Sequence, residues 1–147
     1  MDRKYFFRAM ELAQRGQCIR RNYGCVIVKD GEAISEGFTQ MPPKAVRCTR
    51  ESCLREKLHI PSGKCYDICR SVHAEQVALI KADPEKVKGA DLYLVGVDSD
   101  GLLLFNPFVC DICKKMLIYA GIKNVHIKYN TEEQYLVKTE VVADYVV

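Results

Sequence analysis

The sequence lacks several features that would place it in other classes of protein. The first residues, Met1 to Tyr5, hold no apolar segment of the kind that forms a signal-peptide core, and no apolar run approaches the length of a membrane span. The net charge is only +3, from 22 basic and 19 acidic residues, and no basic stripe carries interleaved aromatic residues. There is also no internal repeat and no low-complexity linker. We therefore expect a cytoplasmic protein that binds neither membranes nor nucleic acid.

What is present indicates one folded domain over residues 1–147. A hydrophobic fraction of 48% is enough to fill a core in a chain of this length. The chain has eight cysteines. Without a signal peptide, and with a good core, cysteines more often serve metal binding or catalysis than a disulfide framework. The sequence therefore favours a metal site.

The hydrophobic pattern alternates between helix and strand. The predicted elements, in order, are a helix over 2–15, strands over 24–29 and 33–38, a helix over 73–81, a strand over 92–97, a helix over 110–120 and a strand over 122–128. Asp30-Gly31 predicts a hairpin turn, and Val77 and Ile80 are expected to face inward. The tail from Thr131 is ambiguous, with a strand-like pattern over 137–147. This order of elements predicts a layered α/β fold.

Residues 39–70 show no regular pattern. A structureless insert of this length is unusual in a compact domain unless something ties it down. The insert contains four cysteines, Cys48, Cys53, Cys65 and Cys69. A metal ion bound by cysteines of this loop could supply the order.

Two short stretches supply the ligands of a catalytic zinc site. His73 lies at the start of one predicted helix, and Cys110 and Cys113 lie three residues apart at the start of another. Two thiolates and an imidazole leave the fourth position of a tetrahedral zinc open, which distinguishes catalytic sites from closed structural ones. Glu75, two residues after His73, is suited to moving protons beside the metal rather than to holding it. A lone Cys-x-x-Cys would be equally consistent with a redox pair or half of a structural site.

The combination of His73-Ala74-Glu75 with a later proline and Cys110-Asp111-Ile112-Cys113 resembles the zinc-dependent cytidine and deoxycytidylate deaminase superfamily. The similarity to the deoxycytidylate branch extends over roughly residues 1–130. It includes Gly24 to Val28, Ile60-Pro61-Ser62-Gly63, the run from Cys69 to Gln76, and Ala120-Gly121-Ile122-Lys123. The resemblance implies a three-layer α/β/α fold with a central mixed sheet of about five strands and helices on both faces. It also implies a homo-oligomer, from dimer to hexamer.

The same resemblance assigns roles to individual residues. His73, Cys110 and Cys113 would hold the catalytic zinc, Glu75 would shuttle protons, and the backbone near Ala74 would help to hold a pyrimidine. Relatives of this branch often carry a second, structural zinc. Here its ligands would be Cys18, Cys48, Cys53 and Cys69, with Cys65 as a further candidate. The implied reaction is hydrolytic deamination of a cytosine nucleotide, dCMP to dUMP or CMP to UMP, with release of ammonia.

The chain also departs from the pattern of the superfamily. Where relatives usually have Gly-Tyr-Asn-Gly, with the asparagine on the sugar, this sequence has Gly37-Phe38-Thr39-Gln40. The sugar contact would then be lost, or made by Thr39 or Gln40. A deaminase of another amino-heterocycle is therefore an alternative, as is a catalytically silent zinc-binding relative with a regulatory or assembly role. Some of the arginines Arg20, Arg21, Arg47, Arg50 and Arg55 could hold a 5′-phosphate.

Overall fold

The structure is a computed structural model that describes residues 3–130 and 135–141, the second range as backbone only. The helices are α1 (Arg3–Gln14), α2 (Leu54–Lys57), α3 (Ala74–Lys81), α4 (Pro84–Val87) and α5 (Asp111–Ala120). The strands are β1 (Asn22–Lys29), β2 (Glu32–Phe38), β3 (Asp91–Val97), β4 (Asn124–Asn130) and β5 (Tyr135–Val141). These bounds confirm each predicted helix and strand to within two residues. The predicted start of the first helix at Asp2 and the strand-like residues 142–147 lie outside the described part of the chain.

The strands form one mixed sheet in the order β2-β1-β3-β4-β5. The hairpin between β1 and β2 turns at Asp30 and Gly31, which both have positive φ, at 50° and 78°, as a tight turn between twisted strands requires. Strands β3 and β4 are the parallel pair, because α5 crosses over between them. The other neighbouring pairs are antiparallel.

Helices cover both faces of the sheet. The side chains of β3 alternate: Leu92 and Leu94 pack with α3 and α5 on one face, while Tyr93 and Val95 pack with α1 on the other. Strand β1 divides in the same way between the two clusters. The two separate cores confirm the expected three-layer α/β/α fold. In the described residues no helix is long and apolar enough to cross a membrane.

Two predictions about local structure are wrong in part. Ile80 was expected to face inward, but 74% of its surface is exposed. Helix α3 instead buries Ala74, Val77 and Ala78, because small residues let it approach β2 closely. The loop over 39–70 is also less irregular than predicted, since it contains α2 and a 3-10 turn over Tyr66–Ile68.

Candidate active site

The N-terminus of α3 places His73. The residue is the N-cap of the helix, and its backbone N–H donates to the Oε1 of Gln76 at 2.9 Å. Just before it, Val72 forms a two-bond antiparallel bridge with Gln40, through N–O distances of 2.7 and 3.2 Å. The ring of Tyr66 meets the imidazole of His73 edge-on, with 4.7 Å between centroids. The backbone and the ring of His73 are therefore both held from outside α3.

The N-terminus of α5 places the two cysteines. Cys110 is the N-cap, and its Sγ accepts a hydrogen bond from the backbone N–H of Cys113 at 3.4 Å. The residues are 8% and 0% exposed, respectively. A helix N-terminus favours thiolates through its dipole and its unpaired N–H groups. The sulfur of Cys110, which accepts one of these N–H groups, thus lies where its charged form is stabilised.

The two helix N-termini bring three donor atoms together. Nδ1 of His73 lies 3.4 Å from Sγ of Cys110 and 3.3 Å from Sγ of Cys113. Tetrahedral zinc with its usual bond lengths would hold a nitrogen and a sulfur about 3.5 Å apart. Across residues 3–130, this is the only group of three or more His, Cys, Asp or Glu side chains whose ligand atoms lie within 4.8 Å of one another. The geometry therefore fits a zinc ion with three protein ligands.

The electrostatics of the three groups also fit a cation. A hydrogen bond from the Cys113 thiol, together with one from His73, lowers the pKa of Cys110, against the cost of burial. The same Cys110 sulfur and burial raise the pKa of Cys113. Burial tends to lower the pKa of His73. The hydrogen bond to the Cys110 sulfur and the charge of Glu75 outweigh this effect, so the pKa of His73 is raised overall. Two buried sulfurs that compete for one proton are both satisfied as thiolates by a divalent ion.

Glu75 lies in the first turn of α3 beside the three donor atoms. It is only 3% exposed, and burial raises the pKa of its carboxyl. The carboxyl is within interaction range of the side chains of His73 and Cys113. A buried carboxyl with a raised pKa holds its proton more readily than an exposed one, which suits a group that must both accept and release a proton.

A cleft that is partly open to solvent lies in front of these groups. Its lining residues are Cys18, Arg20, Arg21, Tyr23, Thr39, Arg55, Ser62, Tyr66, Ser71, His73, Glu75, Phe108 and Cys110. His73, Glu75 and Cys110 therefore share one cleft with the rings of two tyrosines and a phenylalanine and with three arginines. The loop over 39–70 supplies part of its wall, which explains why that loop needs to be ordered.

Two arginines of the cleft have unusual environments. Arg55 is 6% exposed; it donates to the carbonyls of Lys64 and Pro61 and stacks on the ring of Tyr66, but forms no ion pair with a carboxylate in the described residues. Arg20 pairs with Glu56 at 3.1 Å, yet its Nη1 is buried and has no hydrogen-bond partner in the part of the chain that the structure describes. Buried cationic groups without full compensation are costly unless an anion binds them.

The residues expected to contact the substrate, Thr39 and Gln40 at the sugar and Ala74 at the pyrimidine, lie apart. Thr39 lines the cleft, but its Oγ1 accepts from the backbone N–H of Tyr23 at 2.9 Å. Gln40 does not line this cleft; it faces a separate cavity, and its side chain donates to the carbonyl of Phe38. Ala74 is fully buried at the first position of α3. Of these three residues, only Thr39 reaches the cleft surface with a side chain.

The four cysteines expected to form a second site are near one another but are not arranged as ligands. The charges of Cys18, Cys69 and Cys53 all raise the pKa of Cys48, after burial as the larger cause. Cys48 contacts the sulfur of Met41 at 3.6 Å, and Cys69 contacts the hydroxyl of Ser71 at 3.0 Å. Cys65 is exposed and has a left-handed backbone.

Sequence reasoning missed one polar residue of the cleft altogether, Tyr23. Its position in a strand that is otherwise almost fully buried is the available signal, because a tyrosine at the end of such a strand needs a place for its hydroxyl. Arg20 and Arg55 were considered only as members of a larger set of arginines. What separates them from Arg47, which is exposed, is burial, and burial follows from the path of the loop.

Comparison with known proteins agrees with this geometry. Residues 1–129 match the family described as the cytidine and deoxycytidylate deaminase zinc-binding region. The match covers most of the 147 residues, so the chain belongs to this family of zinc-binding deaminases.

Two curated relatives and one solved structure are similar to the chain. A deoxycytidylate deaminase from Schizosaccharomyces pombe is 30% identical over 131 residues, which is 87% of this chain and 38% of that protein. A deoxycytidylate deaminase from Mycobacterium phage D29 is 30% identical over 129 residues, 84% of this chain and 91% of that one. The dCMP deaminase of cyanophage S-TIM5 has the same fold, with a TM-score of 0.62 at 23% identity over 89% of this chain and 84% of that chain. The chain thus spans little more than a third of its yeast relative.

Proposed function

We propose that the chain is a zinc-dependent hydrolase that deaminates a cytosine nucleotide, dCMP to dUMP or CMP to UMP, and releases ammonia. The observation that carries the proposal is the arrangement of His73, Cys110 and Cys113 around one point, with the buried carboxyl of Glu75 beside it. Curated relatives named deoxycytidylate deaminases support the choice of substrate. On this proposal residues 1–147 form a single deaminase domain, and the substrate is a small molecule.

Each group of the site has a role in this reaction. His73, Cys110 and Cys113 would hold the zinc and leave its fourth position facing the cleft. When bound there, zinc lowers the pKa of a coordinated water toward neutrality. Glu75 would take a proton from the attacking water as the C4–O bond forms. It would then deliver a proton to the amino group, so that the C4–N bond breaks and ammonia leaves. Burial keeps the Glu75 carboxyl out of bulk water, which strengthens its interactions with both proton partners.

The arginines of the cleft favour a nucleotide over a nucleoside. Among residues 3–130, Arg55 is buried without a carboxylate partner, and the buried Nη1 of Arg20 has no hydrogen-bond partner. A 5′-phosphate would supply the missing acceptors, because guanidinium groups bind phosphate oxygens in a matching geometry. We place the phosphate of the substrate against these two residues.

We also propose a second, structural zinc bound by Cys18, Cys48, Cys53 and Cys69, and assembly into a homo-oligomer. What supports the second metal is the proximity of three thiols to Cys48 at the base of the loop. A closed thiolate site would order that loop and hence the wall of the cleft. The cytoplasmic location stays a prediction.

An ammonia-release screen with Glu75→Ala tests the main proposal. We expect the wild-type protein to release ammonia from dCMP or CMP, and the variant to keep its zinc but lose at least 99% of the rate, since general acid-base groups contribute about 10²–10⁴-fold. Glu85→Ala is the matched control, because Glu85 is an exposed carboxylate that does not line the cleft. Ammonia release from another amino-heterocycle only would establish the alternative substrate. No turnover across the panel with zinc bound would indicate a silent relative.

A further inference from the structure

Tyr23 is held rigidly at the edge of the cleft by parts of the protein other than the metal ligands. It pairs with Gly96 across β1 and β3, and a Cβ added at Gly96 would lie 2.8 Å from the tyrosine ring. The absence of a side chain at Gly96 therefore lets the ring lie over β3. An aromatic residue packed in this way has little freedom to rotate away from the cleft.

Thr39 fixes the main chain of Tyr23 from the other side. The backbone N–H of Tyr23 donates to Oγ1 of Thr39 at 2.9 Å, and the backbone N–H of Thr39 donates to the carbonyl of Tyr23 at 3.0 Å. The hydroxyl of Thr39 is thus already engaged and is not free for a ligand. The polar side chain that Thr39 positions at the cleft surface is that of Tyr23.

The phenol of Tyr23 has a proton to donate. Its oxygen accepts from the backbone N–H of Phe108 at 3.4 Å, and the guanidinium of Arg21 lies near the same oxygen. Within residues 3–130 no acceptor takes its hydroxyl hydrogen. Burial raises the pKa of Tyr23 to about 12, so the phenol remains protonated near neutral pH. A half-buried donor at the wall of a cleft, with a packed ring and an unused proton, is typical of a group that contacts a ligand.

The neighbours of this phenol indicate which part of a ligand it meets. Tyr23 and Glu75 line the same cleft, and the charge of Glu75 acts on the tyrosine hydroxyl. The hydroxyl is neutral, whereas the cationic groups suited to a phosphate are Arg20 and Arg55. A neutral donor close to the proton-transferring carboxyl suits an uncharged oxygen of the ligand.

We propose that Tyr23 is a substrate-contacting, specificity-determining residue, whose phenol donates a hydrogen bond to an oxygen of the nucleoside, either the base carbonyl or a sugar hydroxyl. This inference rests on the deaminase function proposed above. Phe108 and Thr39 act as its positioning residues, one through the hydroxyl oxygen and the other through the main chain. The contact replaces any direct role of Thr39 or Gln40 in holding the substrate.

The test is Tyr23→Phe, which removes the hydroxyl and keeps the ring. We expect kcat/KM for dCMP to fall about tenfold, mostly through KM, as for the loss of one hydrogen bond between uncharged groups. The matched control is Tyr5→Phe, which removes the 2.6 Å hydrogen bond from Tyr5 to the carbonyl of Gly31, outside the cleft, and should leave kcat/KM unchanged. A Tyr23→Phe value within twofold of wild type, at unchanged thermal stability, would overturn the proposal.

Two further arms separate the possible acceptors and the possible failures. The first arm repeats the comparison of Tyr23→Phe with wild type on 2′,3′-dideoxycytidine monophosphate, which lacks the 3′-hydroxyl. If the tenfold loss of kcat/KM disappears with this substrate, the 3′-hydroxyl is the acceptor; if the loss persists, the base carbonyl is the acceptor.

The second arm is calorimetry with dUMP, which measures the contact without turnover. Binding of dUMP that is about tenfold weaker in Tyr23→Phe than in wild type supports the contact. Wild-type protein that binds dUMP but releases no ammonia would refute the deaminase alone. Equal binding of dUMP by both proteins, or by neither, would refute the contact.

Discussion

Gly37 of β2 lies directly against the carbonyl of Ala74, the first residue of α3. A Cβ added at Gly37 would come within 2.3 Å of that oxygen and within 2.7 Å of the backbone nitrogen of Ala78. The absence of a side chain at Gly37 therefore sets how closely α3 approaches the sheet. Since His73 caps α3, this contact also sets how deeply one of the three proposed zinc ligands is buried.

The first prediction follows from that contact. Gly37→Ala should lower the free energy of unfolding by about 3 kcal/mol, because backbone atoms must move to admit the methyl group. It should also weaken zinc binding, since α3 carries His73. Gly89→Ala is the control. Gly89 also has a positive φ, of +78°, but a Cβ added there would meet no atom within 4 Å. The control should therefore lose only about 1 kcal/mol of unfolding free energy, from the left-handed backbone alone. Chemical denaturation of both variants measures the difference, and equal losses would contradict the packing argument.

The second prediction concerns the phosphate. Arg20→Gln should raise KM for dCMP at least tenfold, because a charged hydrogen bond is lost, and leave KM for deoxycytidine unchanged. Arg47→Gln removes a cation from an exposed position outside the cleft and serves as the control. Steady-state kinetics on both substrates decide the matter. A loss of the same size for nucleotide and nucleoside would assign Arg20 to holding the loop through Glu56 and Ile60 instead.

The third prediction concerns the second metal. Cys53→Ser should reduce the zinc content from two ions per chain to one, and should lower thermal stability because the loop loses its tie. Cys65→Ser, at an exposed cysteine of the same loop, should retain both ions. Elemental analysis of the purified variants is the measurement. One zinc per chain in the wild-type protein would rule out the structural site and leave the catalytic one unaffected.

The fourth prediction is a pH dependence on the opposite face of the fold. Arg8 binds Glu36 through two hydrogen bonds, of 2.6 and 2.8 Å, and this pairing lowers the pKa of the Glu36 carboxyl. A lowered pKa in the folded state means that the stabilisation is present above the unfolded pKa and is lost as the pH falls through the folded one. Because both side chains are more than a third exposed, we expect no more than about 1 kcal/mol.

The pair can be measured with Glu36→Gln. At neutral pH the free energy of unfolding of the variant should be lower than that of the wild-type protein by no more than about 1 kcal/mol. This difference should disappear as the pH falls below the ordinary pKa of a glutamate and Glu36 becomes protonated. Glu85→Gln breaks a more exposed pair with Lys88, and its effect should be close to zero at every pH. A gap for Glu36→Gln that widens in acid would show that the sign of the linkage is wrong.

Much of this arrangement could be predicted from the sequence, because it depends on local signals. Hydrophobic periodicity located the helices and strands, and Asp30-Gly31 marked the hairpin correctly. The ligand triangle was predictable since Cys110 and Cys113 are three residues apart at a helix start, where one metal ion can reach both. The same argument placed His73 and Glu75 at the start of α3.

What could not be predicted depends on how distant segments meet. Ile80 faces solvent because α3 turns its small residues toward Gly37, a choice that helical periodicity alone does not make. Thr39 engages Tyr23, 16 residues earlier in the chain, through the pairing of β1 and β2. The burial of Arg55 follows from the folding of a loop without repeating pattern. Such contacts are set by tertiary packing, which a single sequence does not specify residue by residue.

The most direct test of the account is to remove and restore the metal while dUMP and ammonia are both measured from dCMP. We expect the zinc-loaded protein to form the two products in equal amounts, to lose activity on chelation and to regain it with zinc. His73→Ala should recover no activity, since two thiolates alone do not complete the site. Full turnover by the metal-free protein, or by His73→Ala, would contradict the central claim that these three side chains hold the ion on which deamination depends.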